Sequence, residues 1–256
     1  LAAAGYMLVI AIVVRINPES GPAAPKASRK ERWKSILDIW GVLLIFLLVM
    51  GGIYSGIFTP TEGAGIGCVG TFLLAVTRGG MRWEGIKDVC LGTASTTGLI
   101  FLIILGAAVF SAFLGFTELP NDLAEFFRTS DLPPVTVIIM MVIIYILLGF
   151  IMDSLSMILL TVPIFWPIIA ALDFGMPVDD VKLWFGIISL IVVEVGLITP
   201  PVGMNVFVIS SMAKDVPMIE TFKGVIPFFL SDTVRVAFIV WLPSLTLILP
   251  HLWASE

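Results

Sequence analysis

The sequence predicts an all-α polytopic membrane protein in which two of the membrane segments are interrupted near their centres. Of the 256 residues, 59% are hydrophobic and only 13% are charged, and the mean hydropathy is +1.09. This is more apolar surface than one soluble core can bury. Several segments also reach the roughly 20 apolar residues that a helix needs to cross a bilayer. Two of them, residues 135–171 and 183–212, contain glycine, proline and polar residues in the middle.

Composition also argues against several functions. The formal net charge of −5 is small for 256 residues and forms no basic surface, so we expect no nucleic-acid partner. Cys68 and Cys90 lack metal-type spacing and indicate no disulfide framework. The sequence has no Gly-x-Ser-x-Gly or His-Glu-x-x-His motif, and its lone histidine, His251, is terminal. A membrane-embedded enzyme is therefore disfavoured.

The chain opens with residues 1–16, an apolar stretch that looks like the end of a transmembrane helix. Since it starts with Leu rather than Met and shows no cleavable signal, we expect the later part of a longer protein. Residues 17–35 are rich in proline, serine and basic side chains, so the positive-inside rule places this loop in the cytoplasm. Residues 36–58 then give a helix of about 35 Å, enough to cross outward.

A polar tetrapeptide follows this helix: Thr59, Pro60, Thr61 and Glu62. A threonine can cap the next helix, proline suits its first turn, and an acid is favourable near the positive end of the helix dipole. Capping is the expected main purpose, and a functional role stays open. The helix over residues 63–77 has glycines at 63, 65, 67 and 70, which allow another helix to approach its backbone.

Residues 83–89 mix tryptophan with charges, which is typical of an arm helix in the cytoplasmic interface and completes segment 36–93. Residues 94–134 are predicted to hold an outward-crossing helix to residue 116 and then an acidic amphipathic segment outside. Segment 135–171 is too long for one crossing and short for two. A re-entrant hairpin fits it better, with two arms entering and leaving by the outer face.

The tip of that hairpin is predicted at Asp153, Ser154 and Ser156. The second interruption lies in 183–212, where Pro200 and Pro201 cannot donate backbone hydrogen bonds and should break the helix. Unwound backbone inside a bilayer is tolerated only where protein or a polar cavity satisfies it, so the break is a candidate binding site. Residues 225–250 make the last outward crossing.

We expect the two interruptions to meet at mid-depth. Free carbonyls near Gly196, together with the Thr199 hydroxyl, are oxygen ligands suited to a hard cation such as Na⁺, and a carboxylate would add charge. The candidate cation ligands are Gly149, Asp153, Ser154, Gly196 and Thr199. The candidates for binding substrate or bracing the site are Ser156, Glu194, Pro200, Pro201, Gly203 and Asn205. The alternative is that glycine and proline only bend a helix for packing.

Two further polar features need interpretation. Glu194 is an ionisable group at membrane depth, which costs at least about 2.5 kcal/mol at a helix centre and is by default functional. Its alternative is a structural pair with another element. Asp232 and Arg235 are three residues apart, and the spacing favours a helix-end ion pair over a proton relay.

Three motifs together resemble the large membrane (M, DctM-like) subunit of tripartite ATP-independent periplasmic (TRAP) transporters. They are Phe-Thr-Pro-Thr-Glu at 58–62, Gly-Phe-Ile-Met-Asp at 149–153 with Leu-Leu-Thr-Val-Pro-Ile at 159–164, and Gly-Leu-Ile-Thr-Pro-Pro-Val-Gly at 196–203. Their order and spacing match, and the likeness covers essentially the whole chain. One departure is Val192, where the family pattern leads us to expect asparagine shortly before Glu194.

This resemblance implies the second inverted repeat, the C-terminal half, of an elevator-type transporter, with scaffold helices in 36–93 and sodium near 149–153 and 196–199. It implies Na⁺-coupled import of an organic acid, such as a C4-dicarboxylate or sialic acid, with no other cofactor. The implied partners are a small four-helix membrane subunit (Q type), a periplasmic binding protein (P type) and the lipid of a bacterial inner membrane. Proton coupling through Glu194 or Asp153, and a structural or channel subunit, remain alternatives.

Overall fold

The computed structural model describes residues 2–21, 28–200, 203–212 and 216–254, and every helix longer than one turn in these ranges is an α-helix. Eleven α-helices are assigned within the described ranges: α1 Ala2–Ile16, α2 Arg29–Tyr54, α3 Pro60–Thr77, α4 Trp83–Thr117, α5 Leu119–Thr129, α6 Pro134–Leu148, α7 Ser154–Ala170, α8 Val178–Ile198, α9 Met204–Met212, α10 Met218–Trp241 and α11 Ser244–Ala254. Four of the described helices, α2, α4, α8 and α10, are long and apolar enough to span a bilayer. The protein is therefore an all-α polytopic membrane protein.

The chain divides into two compact units, and the smaller one, Pro22–Ile100, is built on the packing of α2 against α3. The glycines of α3 lie where α2 comes closest. A Cβ atom added to Gly63 would be 2.9 Å from Ile53, and one added to Gly70 would be 3.1 Å from Ile45. Gly65, in contrast, faces no neighbouring atom within 4 Å. Close approach of another helix to this glycine-bearing face is thus confirmed.

A capping box starts α3. The Thr59 side chain accepts a hydrogen bond from the Glu62 backbone N–H at 3.3 Å, and the Glu62 carboxylate accepts the Thr59 N–H at 2.8 Å. The two bonds satisfy donors at the start of the helix that have no partner within it. The tetrapeptide therefore has the capping geometry expected from its sequence.

The larger unit, Leu1–Gly21 with Phe101–Glu256, is organised around α6, α7 and α8. Helix α5 packs on α7, α10 packs on α8, and α1 packs on α10. Trp184 of α8 is buried and donates its indole N–H to the Ile239 carbonyl of α10 at 2.8 Å. The largest fully buried side chains of the described residues lie mainly on the three central helices: Trp184, Tyr145, Ile138, Met157, Ile169, Val137, Val192, Val193 and Val206.

Several helix boundaries differ from the sequence-based prediction: α2 begins at Arg29, inside the predicted loop 17–35, and α10 begins at Met218 instead of residue 225. The expected interfacial helix at 83–89 is continuous with α4, because residues 90–93 contain no proline and one glycine does not end a helix. Helix α8 begins at Val178, before the predicted start at residue 183, so Asp179 and Asp180 form its first turn, where the helix dipole favours them. The last crossing, 225–250, is two helices, since Pro243 forces Leu242 out of the α region.

The predicted pair of Asp232 and Arg235 forms, with 3.0 Å between their charged atoms, but it is not at a helix end. Asp232 lies inside α10 and is only 3% exposed. Its second carboxylate oxygen accepts the Tyr6 hydroxyl of α1 at 2.6 Å. The prediction that the pair lies at a helix end was wrong, because a three-residue spacing shows neither where along a helix the pair lies nor which helix face is covered. These side chains join α1 to α10.

Candidate functional site

The hairpin tip, residues 149–153, joins α6 to α7. Gly149 ends α6, and its N–H donates to the Tyr145 carbonyl at 2.9 Å. Asp153 is the N-cap of α7: its carboxylate accepts the Ser156 backbone N–H at 3.1 Å and also the Ser156 hydroxyl. Asp153, Ser154 and Ser156 are all half-buried. Both oxygens of Asp153 are thus engaged in starting a helix.

The second interruption begins where α8 ends at Ile198. In a continuous helix the N–H groups of residues 200 and 201 would bond the carbonyls of Gly196 and Leu197, and both residues are proline. Thr199 partly compensates, since its N–H donates to Gly196 at 3.2 Å and its hydroxyl donates to Val195 at 2.6 Å. The Gly196 carbonyl is therefore not free as predicted, although it keeps a second lone pair.

The chain resumes helical structure after Gly203. Its φ of +51° is one that side chains disfavour, and its carbonyl accepts the Val206 N–H at 2.8 Å as α9 starts. Asn205, in the first turn of α9, is exposed. Pro200 is half-buried, and the predicted role of Pro201 falls outside the described residues.

The two interruptions touch through their backbones. A Cβ atom built on Gly149 would lie 2.6 Å from the Cα of Gly196, and one built on Gly196 would lie 3.1 Å from the Cα of Gly149. The same Gly196 position is 3.1 Å from the carbonyl oxygen of Tyr145. The contact, which we call the glycine contact, joins the C-terminal ends of α6 and α8. Helix C-termini carry partial negative charge, so two of them side by side favour a cation.

Glu194 does not take part in the glycine contact. It lies on the exposed stripe of α8, in line with Gly186 and Leu190, whereas Val193 and Val195 on the other sides of the helix are buried. Sequence alone placed Glu194 one turn before the break but did not show which way it faces. Its carboxylate has no hydrogen bond or ion pair within the part of the chain that the structure describes.

Three buried hydroxyl groups on the central helices α6, α7 and α8 were not predicted. Tyr145 of α6, Thr161 of α7 and Ser189 of α8 are 1%, 6% and 3% exposed. The hydroxyl oxygens of Tyr145 and Thr161 are 2.9 Å apart. A tyrosine four residues before Gly149 was a usable signal, because a buried phenol must find a hydrogen-bond partner. Nothing in the sequence indicated that Ser189 lies beside it.

Comparison with known proteins agrees with this architecture. The family model described as tripartite ATP-independent periplasmic transporter, DctM component, matches residues 1–245. The chain is 32% identical over 230 residues to the sialic acid TRAP transporter large permease protein SiaM of Vibrio cholerae, covering 90% of this chain and 52% of that protein. It is 33% identical over 249 residues to the C4-dicarboxylate large permease protein DctM of Pseudomonas aeruginosa, covering 96% and 56%. The 2,3-diketo-L-gulonate large permease protein YiaN of Escherichia coli is 31% identical, with 91% and 53% covered.

The helical fold, with a hairpin tip seated on a broken helix, thus occurs here in a chain whose relatives are transporter permeases and not enzymes. The chain belongs to the DctM component family of tripartite ATP-independent periplasmic transporters. It spans about half the length of the curated relatives it matches.

Proposed function

We propose that this chain is the C-terminal half of the large membrane subunit of a Na⁺-coupled TRAP transporter that imports an organic acid. In this proposal it forms the second of two inverted repeats. The hairpin of α6 and α7 is re-entrant and belongs with α8 to the moving elevator domain, and α2 and α3 belong to the scaffold. The observation that carries the proposal is the glycine contact between the two interruptions.

The glycine contact supports sodium coupling in two ways. It sets the negative ends of two helices side by side, and the prolines at 200 and 201 remove two backbone donors from the end of α8. Oxygen ligands of this kind suit a small hard cation, and the Thr199 hydroxyl oxygen adds one more. In transporters with broken helices, such ends coordinate the coupling ion near the bilayer midplane.

The substrate class is supported by the relatives' names. Permeases named for sialic acid, C4-dicarboxylate and 2,3-diketo-L-gulonate all handle carboxylates. We therefore assign a small organic acid as substrate. By the same family membership, the partners are a periplasmic binding protein that delivers the acid and a small four-helix membrane subunit, in the inner membrane of a bacterium.

The test is uptake by the full-length permease, reconstituted in vesicles with its small subunit and with the binding protein added outside. We expect uptake of the labelled acid when external sodium exceeds internal sodium, and a fall to background when potassium replaces sodium on both sides. Full uptake without a sodium gradient would reject the coupling. Sodium-independent equilibration of the acid would instead identify a channel-forming subunit.

Proton coupling is the second candidate, because Asp153 is a carboxylate at the hairpin tip. Asp153→Asn separates its two roles, since asparagine caps a helix about as well as aspartate but carries no charge. If protons are the coupling ion, this variant loses pH-driven uptake in sodium-free buffer. If sodium is the coupling ion, uptake still depends on the sodium gradient, with a weaker sodium affinity if Asp153 is also a cation ligand.

A further inference from the structure

We propose that Tyr145 is a positioning residue for the candidate ion site, acting through a chain of hydroxyl groups from Ser189 through Tyr145 to Thr161. The chain connects α8, α6 and α7 inside the protein and holds the hairpin against α8, where Gly149 meets Gly196. The effect on sodium rests on the proposed function, whereas the effect on the hairpin does not.

The donor-to-acceptor direction along the hydroxyl chain follows from the number of hydroxyl protons available. The Thr161 hydroxyl lies 2.6 Å from the Met157 carbonyl, which can only accept, so the single Thr161 proton goes there. The phenol of Tyr145, 2.9 Å from the Thr161 oxygen, must then donate to Thr161. This leaves the Tyr145 oxygen as an acceptor.

Ser189 supplies the missing donor. Its hydroxyl oxygen is buried and has no hydrogen-bond partner at ordinary distance among the described residues, and it lies beside the Tyr145 phenol. An unpaired buried hydroxyl costs about 1–3 kcal/mol. A small approach of α8 to α6 lets Ser189 donate to Tyr145, which satisfies both groups. The closed chain therefore favours the arrangement in which α6 and α8 are closest.

The backbone of Tyr145 links the close arrangement of α6 and α8 to the candidate ion site. Its carbonyl accepts the Gly149 N–H at 2.9 Å and lies 3.1 Å from where a Cβ of Gly196 would be. The phenol end of Tyr145 is therefore held by α7, and by α8 once Ser189 donates to it, and the backbone end forms part of the glycine contact. Loss of the hydroxyl should loosen the tip without removing any candidate ion ligand.

The ring of Tyr145 allows a conservative test. It packs edge-on against Phe165, with ring centres 5.2 Å apart, so Tyr145→Phe keeps the packing and removes only the hydroxyl. Tyr6→Phe is the matched control, because it removes another tyrosine hydroxyl with a 2.6 Å bond, to Asp232 on α10. Any effect common to both variants is a general loss of stability.

Both variants are made in the full-length permease, and two measurements are taken. Hydrogen exchange of the amides at 149–152 should be about 3-fold to 10-fold faster in Tyr145→Phe and unchanged in Tyr6→Phe, as loss of one net hydrogen bond predicts. In sodium-driven uptake, the sodium concentration for half-maximal rate should rise by a similar factor in Tyr145→Phe, with the maximal rate retained.

Ser189→Ala tests whether Ser189 acts on the hairpin tip through Tyr145. If Ser189 acts through Tyr145, the double variant exchanges no faster than Tyr145→Phe alone, whereas independent effects would multiply. Equal exchange at the tip in Tyr145→Phe and the parent protein would overturn the proposal, even if sodium-driven uptake is found. Faster exchange with no sodium dependence in the parent protein would reject the coupling ion and leave the positioning role supported.

Discussion

Gly149 is restricted to glycine by the main chain of Gly196, and a side chain at Gly196 would be tight against the main chain of Gly149 and Tyr145. A side chain at either position meets backbone atoms, which cannot rotate away as a flexible side chain does. This differs from most of the other glycines in the larger unit, several of which face open space. At the residue scale, the site therefore depends on the absence of a Cβ atom at Gly149 and at Gly196 as much as on its oxygen atoms.

Gly149→Ala tests this dependence. The added Cβ would be 2.6 Å from the Cα of Gly196, so the tip must move away from α8. We expect a loss of about 1–3 kcal/mol in stability, as for overpacked cores, and near-complete loss of uptake. The measurements are the thermal unfolding midpoint in detergent and transport in vesicles.

Gly186→Ala is the control on α8, because a Cβ there has no neighbour within 4 Å and the residue is exposed. Alanine also favours the helix by about 1 kcal/mol. The control should match or exceed the parent protein in stability and retain uptake. Wild-type transport by Gly149→Ala would show that the glycine contact is not needed for function.

Glu194→Gln tests whether the exposed carboxylate on α8 carries the coupling proton. Since Glu194 lies on the face away from the glycine contact, we expect the sodium dependence and the pH profile of uptake to be unchanged. A shift of the acidic limb of the pH profile in this variant alone would instead favour proton transfer through Glu194.

At the scale of the elements, α1 and α10 are joined by the phenol of Tyr6 and a charge pair between the buried Asp232 and the half-buried Arg235. Charged groups in a membrane protein are costly unless paired, and here Asp232 receives both Arg235 and the Tyr6 hydroxyl. The Arg235 side chain also lies over the Tyr6 ring, 6.0 Å from its centre. The side chains of Asp232, Arg235 and Tyr6 therefore hold one another in position.

Asp232→Asn should be the most destabilising change at this junction. It leaves the partly buried Arg235 without a counter-charge, which costs up to about 3–5 kcal/mol, whereas Tyr6→Phe removes one hydrogen bond to a carboxylate and should cost about 1.5–3 kcal/mol. Adding Arg235→Gln to Asp232→Asn should restore part of the loss in the unfolding midpoint. Equal midpoints for Asp232→Asn and the parent protein would contradict a stabilising pair.

The break at the end of α8 was predictable from the chain, because proline at 200 removes a backbone donor wherever the helix lies. Capping by Thr59 and Glu62 was also predictable, since it depends on neighbours three residues apart. The orientation of Glu194 and the meeting of Tyr145 with Ser189 were not. Both depend on which face of α8 is covered, and a helix that is apolar on nearly all sides gives no periodicity from which to read that face.

At the scale of the molecule, α8 has the central position in the larger unit. It packs against α6, α7 and α10, and its indole at Trp184 and its backbone at Gly196 hold two different neighbours. Its end is also where the chain breaks. A shift of α8 along its axis would therefore displace both the hairpin and α10, because closely packed interiors transmit strain.

The glycine contact also has a consequence for the substitutions that can accumulate at its two positions during evolution. A substitution at Gly149 has no compensating substitution at Gly196, because the obstacle is main chain and not a side chain that could become smaller. Since substitution at either glycine is opposed by main-chain atoms, paired substitutions at the two positions are not expected. The glycine contact should therefore leave no covariation between its two residues, and a search for correlated substitutions would not detect it.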